Sequence, residues 1–149
     1  YKFAYEGGTL QVDYTPAEST GDMFGGNSNW RGPIWFPMNY LILDSLSKFS
    51  DYYGSDYEVE FPTNSGEMMN IKEAARGVSE RLLAMFVPGK DGKIPMYGEY
   101  NKFEDPHFKD SHLFFEYFDG DTGKGLGANH QTGWTGLISE IIRQLHGKN

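Results

Sequence analysis

Glu116 is the residue best suited to catalysis by its type and surroundings. It lies in the middle of the aromatic run Phe114-Phe115-Glu116-Tyr117-Phe118. Aromatic neighbours lower the local polarity, and a carboxylate there costs free energy unless it is hydrogen-bonded or used. If the run is a strand, Glu116 shares a face with Phe114 and Phe118 and points away from Phe115 and Tyr117. A functional carboxylate is one interpretation, and a strand residue that faces solvent is the other.

A second candidate site is the segment from Gly26 to Trp35, in which Trp30 and Trp35 stand on either side of Arg31. Indole faces stack on sugar rings, and a guanidinium group holds hydroxyls or orients a carboxylate. This combination is typical of a sugar-binding loop. The alternative is a structural cation–π contact between the arginine and one indole.

A third candidate site runs from Asn129 to Thr135 and includes His130 and Trp134. It combines polar side chains, an aromatic wall and the start of a predicted helix, where backbone N–H groups are free to bind polar ligands. A capped helix entry without further function is the alternative.

Metal-binding motifs are incomplete in this chain. Segment 119–123 begins like a calcium-binding loop, but Gly123 stands where a ligand is needed and His130 where the bidentate glutamate belongs. His107 and His112 are five residues apart and fit no zinc signature. We therefore expect no metal site and no cofactor.

The composition is that of one globular domain of 149 residues, with 38% hydrophobic residues and 16% aromatic residues. The net charge of −8 repels phosphate backbones and disfavours nucleic-acid binding. No apolar run approaches the roughly 20 residues that span a bilayer. Cysteine is absent, which excludes disulfides, thiolate metal sites and cysteine nucleophiles.

Apolar residues at spacings of three and four predict three amphipathic helices that must position these groups. Their predicted bounds are Pro37 to the stop at Gly54, Glu67 (preceded by Ser65) to Phe86, and Thr132 or Thr135 to about His146. Either threonine is the candidate cap of the third helix.

Two segments are typical of β-structure: a hairpin over Tyr1 to Tyr14 that turns at residues 6–9, and the strand-like run Leu113 to Phe118. The predicted connections are residues 15–32, 56–66, 90–109 and 119–129. These exceed the roughly 2–8 residues that join helices in bundles. Either the loops build a site, or the helices pack on partners outside the chain.

Three segments in this order resemble the C-terminal part of the catalytic domain of glycoside hydrolase family 63, which comprises processing α-glucosidases and their microbial relatives. They are Asn29 to Trp35 with Asn39 to Leu41, then Phe115 to Gly123, then Thr132 to Thr135. The chain is similar in particular to the microbial glucosidase-like branch, over almost all of residues 14–145.

The resemblance implies a mainly α fold, namely part of an α/α toroid (a fragment of a six-hairpin barrel) with a small β element and long loops. Residues 1–149 would then be a single fragment, the C-terminal portion of that catalytic domain. The implied activity is hydrolysis of α-glucosidic bonds with inversion, by two carboxylates that stand roughly 6.5–9.5 Å apart in inverting enzymes.

The same resemblance assigns roles to individual residues. Glu116 matches the general base, which removes a proton from the attacking water. The residues expected to bind the sugar are Trp30, Arg31, Gly32, Trp35, Tyr117, His130 and Trp134. The segment around His130 departs from the family pattern, and the general acid, an aspartate further upstream in the family, has no match in this chain.

The expected partners are an oligosaccharide or small α-glucoside and the remainder of the toroid domain, with neither nucleic acid nor membrane. We expect the isolated fragment to be inactive and to self-associate through exposed apolar stripes, and we expect a cytoplasmic location. Two other interpretations stay open: a carbohydrate-binding domain without catalysis, and a helical domain that binds a protein partner.

Overall fold

The protein, described by a computed structural model, has three α-helices and three two-stranded antiparallel sheets within residues 1–18, 32–108 and 110–147, the part that the structure describes. The helices are α1 (Phe36–Tyr53), α2 (Ile71–Ala84) and α3 (Ile138–His146). The strands are β1 (Lys2–Tyr5), β2 (Gly8–Gln11), β3 (Glu58–Glu60), β4 (Met68–Asn70), β5 (Tyr117–Phe118) and β6 (Gly125–Leu126).

The first hairpin and the first helix confirm the sequence predictions. Strands β1 and β2 pair from Lys2 with Gln11 to Tyr5 with Gly8. Helix α1 has Pro37 in its first turn, where a missing N–H costs nothing. It ends at Tyr53 and is followed by Gly54, whose positive φ of 77° suits a residue without a side chain.

The second helix begins later than predicted. Residues 68–70 form β4, which pairs with β3 inside the predicted connection 56–66. Helix α2 therefore starts after Asn70, whose side-chain oxygen accepts from the Glu73 backbone N–H at 2.9 Å. The Glu73 carboxylate in turn accepts from the Asn70 backbone N–H at 3.2 Å. This capping box, rather than Ser65, fixes the start of the helix.

The third helix ends at His146 as predicted, but neither threonine caps it. A short 3-10 turn, Thr135–Leu137, precedes α3, and no side chain caps either element. The Thr135 hydroxyl instead donates to the Phe115 carbonyl oxygen. This bond connects the turn before α3 to the aromatic run that contains Glu116.

The predicted strand 113–118 is reduced to the two residues of β5, which pair with β6 within the predicted loop 119–129. The expected alternation of faces is wrong, because Phe115 and Phe118 lie in the same core cluster, with ring centroids 6.3 Å apart. A two-residue strand is too short to impose a period-two pattern on its flanks.

The core joins the three helices to the loops around β5. Phe36, Phe86 and Phe118 form a triangle of rings, with centroids 5.4 to 5.6 Å apart. The buried cluster consists of Phe36, Leu43, Leu82, Met85, Phe86, Met96, Tyr97, Phe103, Phe115, Phe118, Ile138 and Ile141. Because Phe118 belongs to it, the core sets the position of the strand that follows Glu116.

The described residues are mainly helical with small β elements, as predicted, and they do not form a closed barrel. Helix α2 lies between α1 and α3 and packs against both. None of the helices in the described ranges has the length and apolar character needed to cross a bilayer.

Candidate functional site

The Glu116 carboxylate is held by the backbone of the opposite loop. The Glu116 backbone N–H donates to the Ala128 carbonyl oxygen at 2.8 Å. The Ala128 N–H donates back to Glu116 Oε2 at 3.2 Å. The side chain is half-buried. One carboxylate oxygen is thus oriented by the protein, which is a requirement for a group that must act in a defined geometry.

Gly127 leaves the space that Glu116 occupies. A Cβ atom at Gly127 would lie 2.7 Å from Glu116 Oε2 and 2.7 Å from Tyr117 Cε1, closer than side chains normally approach. The residue also has a positive φ of 68°. Both features favour glycine at this position.

Three aromatic rings that contact one another form what we call the aromatic wall: Trp35, Tyr117 and Trp134. Of these, Tyr117 borders the space beside Gly127 that also holds the Glu116 carboxylate. Trp35 stacks on Tyr117 with ring centroids 4.6 Å apart and meets Trp134 edge to face at 6.4 Å. Tyr117 is 1% exposed and Trp35 is 6% exposed. The Trp134 indole N–H is buried and has no acceptor among the described residues.

Backbone pairing brings the three candidate segments to one place. Ile34 and Phe118 exchange two backbone hydrogen bonds of 2.8 and 3.0 Å, so Trp35 lies beside β5. The Gln131 N–H donates to the Phe114 carbonyl oxygen at 2.8 Å, which holds the Trp134 segment against the Glu116 segment. The sequence motifs, far apart in the chain, therefore meet.

The N-terminal segment 14–18 docks on β5 and on the loop that follows it, a contact that the sequence analysis missed. Tyr117 Oη donates to Glu18 Oε2 at 2.7 Å. Tyr14 Oη donates to Asp121 Oδ1 at 2.8 Å, and this bond raises the pKa of the Tyr14 phenol above its usual 10.0. No local pattern signals either pair, because the partners are 99 and 107 residues apart.

Gly32 also lies at this contact. Its φ is +107°, and an added Cβ would fall 1.8 Å from the Thr15 carbonyl oxygen. A Cβ at Gly120 would in turn come within 2.2 Å of the Gly32 carbonyl oxygen. Three backbone segments therefore pass one another here at distances that only glycine allows.

The predicted site residues divide into three groups by position. Trp35, Tyr117 and Trp134 lie together, and the Tyr117 ring borders the same space beside Gly127 as the Glu116 carboxylate. His130 is exposed and meets Phe114 through an isolated backbone bridge. Trp30 and Arg31 lie outside the described residues.

Within the described ranges, no group of three or more histidine, aspartate or glutamate side chains is arranged to hold a metal ion. The charged groups that the described residues place beside the Tyr117 ring are two carboxylates, Glu116 and Glu18.

Comparison with known families decides the affiliation of the chain. The family model of the mannosylglycerate hydrolase MGH1-like glycoside hydrolase domain matches residues 6–135. The chain belongs to this family. The matched range of this glycoside hydrolase domain contains all three candidate segments and Glu116.

Three relatives illustrate the similarity of this glycoside hydrolase domain to known proteins. An uncharacterized protein of Saccharomyces cerevisiae is 50% identical over 97% of this chain and 14% of its own length. A probable mannosyl-oligosaccharide glucosidase of Schizosaccharomyces pombe is 33% identical over 80% of this chain and 11% of its own length. The mannosyl-oligosaccharide glucosidase of Saccharomyces cerevisiae is 30% identical over 81% of this chain and 12% of its own length.

The family model and the two relatives named as glucosidases confirm the predicted resemblance to processing glucosidases. The chain spans only 11 to 14% of their lengths. No solved structure matches the chain.

Proposed function

We propose that the chain carries the general-base half of the active site of an inverting α-glucosidase, with Glu116 as the base. The observation that carries the proposal is the Glu116 carboxylate, oriented by the Ala128 N–H at 3.2 Å beside the Tyr117 ring of the aromatic wall. Membership of a glycoside hydrolase family supplies the reaction class.

The proposed reaction is an attack of water on the anomeric carbon. Glu116 removes one proton from the water as its oxygen bonds to that carbon from the face opposite the leaving group. The glycosidic C–O bond breaks at the same time. A second carboxyl group protonates the departing oxygen, and the product is a sugar of inverted configuration.

The aromatic wall is proposed to bind the glucose ring. Trp134 is only half-buried, so its ring offers an apolar surface to the C–H face of a sugar, while the buried rings of Trp35 and Tyr117 support it from behind. Trp30, Arg31, Gly32 and His130 remain proposed members of the same subsite. The Trp134 indole N–H, buried without an acceptor among described residues, is a donor that a sugar hydroxyl would satisfy.

We infer that the second carboxylate and the remaining hairpins of an α/α toroid belong to other parts of a longer polypeptide. The support is the small share of its relatives that the chain spans, at most 14%. The substrate class is an α-glucoside or oligosaccharide, since relatives are named mannosyl-oligosaccharide glucosidase and alpha-glucosidase 2. The isolated chain would lack the acid and be inactive.

The test is Glu116→Gln in the complete polypeptide, assayed on α-glucosides and on mannosylglycerate. Loss of the base lowers kcat by about 100-fold to 10,000-fold, whereas binding of a sugar inhibitor stays close to wild type. The control is Glu99→Gln, which removes an exposed carboxylate in another loop and leaves turnover unchanged. Proton NMR of the first product reports the anomer, which is β-glucose if the α-linked substrate reacts with inversion.

Wild-type turnover in Glu116→Gln contradicts the assignment of the base. Initial release of α-glucose contradicts inversion. A complete polypeptide that binds α-glucosides but cleaves none of them, nor mannosylglycerate, supports the non-catalytic carbohydrate-binding alternative.

A further inference from the structure

The N-terminal segment places the Glu18 carboxylate against the Tyr117 ring of the aromatic wall. We propose that Glu18 is a positioning residue for Glu116: by accepting the hydrogen bond of the Tyr117 hydroxyl, it holds the ring that follows Glu116 in the chain. The inference rests on the proposed function, because it assigns Glu18 a part in the geometry of that same site.

The contact between Glu18 and Tyr117 has the geometry of a charge-assisted hydrogen bond. Tyr117 Oη lies 2.7 Å from Glu18 Oε2, within the range of O–H···O⁻ bonds. The tyrosine is 1% exposed, while Glu18 is exposed. The bond therefore joins a buried ring to a carboxylate at the edge of the site.

The Tyr117 ring is linked to the Glu116 carboxylate through Gly127. The space beside the Gly127 α-carbon is bordered by both Tyr117 Cε1 and Glu116 Oε2, each 2.7 Å from the position of a Cβ. A change in the ring position therefore acts on the same small space that holds the carboxylate oxygen. Displacement of a catalytic group by about 1 Å costs up to about 100-fold in rate.

Two other roles for Glu18 make different predictions. A direct contact between Glu18 and the sugar predicts a rise in KM that is independent of Tyr117. A role limited to docking segment 14–18 predicts an equal effect from loss of the neighbouring bond between Tyr14 and Asp121. That second phenol–carboxylate bond, 2.8 Å long, is a matched control on the same segment.

The experiment compares Glu18→Ala, Glu18→Gln, Tyr117→Phe and the double variant Glu18→Ala/Tyr117→Phe with Tyr14→Phe, all in the complete polypeptide. We expect Glu18→Ala and Tyr117→Phe each to lower kcat by about 10-fold with KM within about twofold. The double variant loses no more than either single variant, because both remove the same interaction. Glu18→Gln retains most of the activity, since its amide oxygen accepts the same bond, and Tyr14→Phe retains wild-type kcat.

Four results overturn the inference: wild-type kcat in Glu18→Ala, multiplicative losses in the double variant, equal losses in Glu18→Gln and Glu18→Ala, or an equal loss in Tyr14→Phe. The proposed function is judged separately by Glu116→Gln. If Glu116→Gln is inactive and Glu18→Ala is fully active, only the positioning role fails. If Glu116→Gln is active, the proposed base fails whatever Glu18 does. Thermal midpoints of all variants show whether the fold is intact.

Discussion

At the scale of single residues, the site depends on one close approach between a glycine and a carboxylate. Gly127 combines a positive φ with two neighbours that a methyl group would displace, Glu116 Oε2 and Tyr117 Cε1. At other positive-φ glycines, namely Gly54, Gly66 and Gly92, nothing lies within 4 Å of an added Cβ, so a side chain there costs backbone strain alone. Here a side chain also moves the proposed base.

We therefore predict that Gly127→Ala lowers kcat by at least about 10-fold and destabilises the fold by about 1–3 kcal/mol. The matched control is Gly66→Ala. Gly66 has a similar φ of 76°, but nothing lies within 4 Å of the position that its added methyl group would take, so this variant isolates the effect of backbone strain. Thermal unfolding and steady-state kinetics of the complete polypeptide measure both effects. An equal kcat for the two variants would show that Gly127 does not support the site.

At the scale of elements, α3 carries a local ion pair that tunes its acid stability. Arg143 donates to both carboxylate oxygens of Glu140, at 2.6 and 2.7 Å, and Gln144 donates to one of them at 3.1 Å. The hydrogen bond from Arg143 and then that from Gln144 lower the pKa of Glu140 from 4.5 to about 2. The charged form is favoured because its partners are donors.

A carboxyl group with a lowered pKa in the folded state stabilises the protein above the pKa of the unfolded state. That stabilisation is lost as the pH falls from 4.5 to about 2. We predict that an NMR titration of the Glu140 carboxyl gives a midpoint near 2, and that Arg143→Ala moves it back towards 4.5. Arg76→Ala removes the comparable pair with Glu80 on α2 and should leave the Glu140 midpoint unchanged. A midpoint near 4.5 in the wild type contradicts the pairing.

At the scale of the whole molecule, α1 presents two apolar faces. One face, with Phe36 and Leu43, is buried in the core. The other carries Leu41, Ile42 and Phe49, which are 57, 50 and 52% exposed. These exposed apolar residues share one side of the helix, and an apolar stripe of this kind normally packs on another element.

We predict that the isolated 149-residue chain associates in solution and hydrolyses no α-glucoside. Light scattering over a range of concentrations measures the association, and a coupled glucose assay measures hydrolysis. Leu41→Glu should reduce association because it places a charge in the stripe. Lys72→Glu adds a glutamate at an exposed position of α2, outside the stripe, and serves as the control. A strictly monomeric wild-type chain argues against the proposed partial toroid, and hydrolysis by the chain alone argues against a missing acid.

Local patterns in the sequence determined the elements whose signals are local. The spacing of apolar residues predicted α1 almost to the residue, because burying one face of a helix requires that period. The turn at residues 6–9 predicted the first hairpin, and the apolar stripe of the last helix predicted that α3 ends at about His146. The aromatic neighbours of Glu116 and the indole of Trp134 were also predicted as site features, because each is visible in a few consecutive residues of the sequence.

Only the tertiary structure decided the features that depend on distant partners. Helix α2 begins at Ile71 because residues 68–70 form strand β4 and pair with β3. The Thr135 hydroxyl donates to the Phe115 carbonyl oxygen and does not cap α3. Glu18 meets Tyr117 across 99 residues of chain. Hydrophobic periodicity predicts which face of an element is buried. Which other element packs on that face depends on long-range contacts that form only when the whole chain folds.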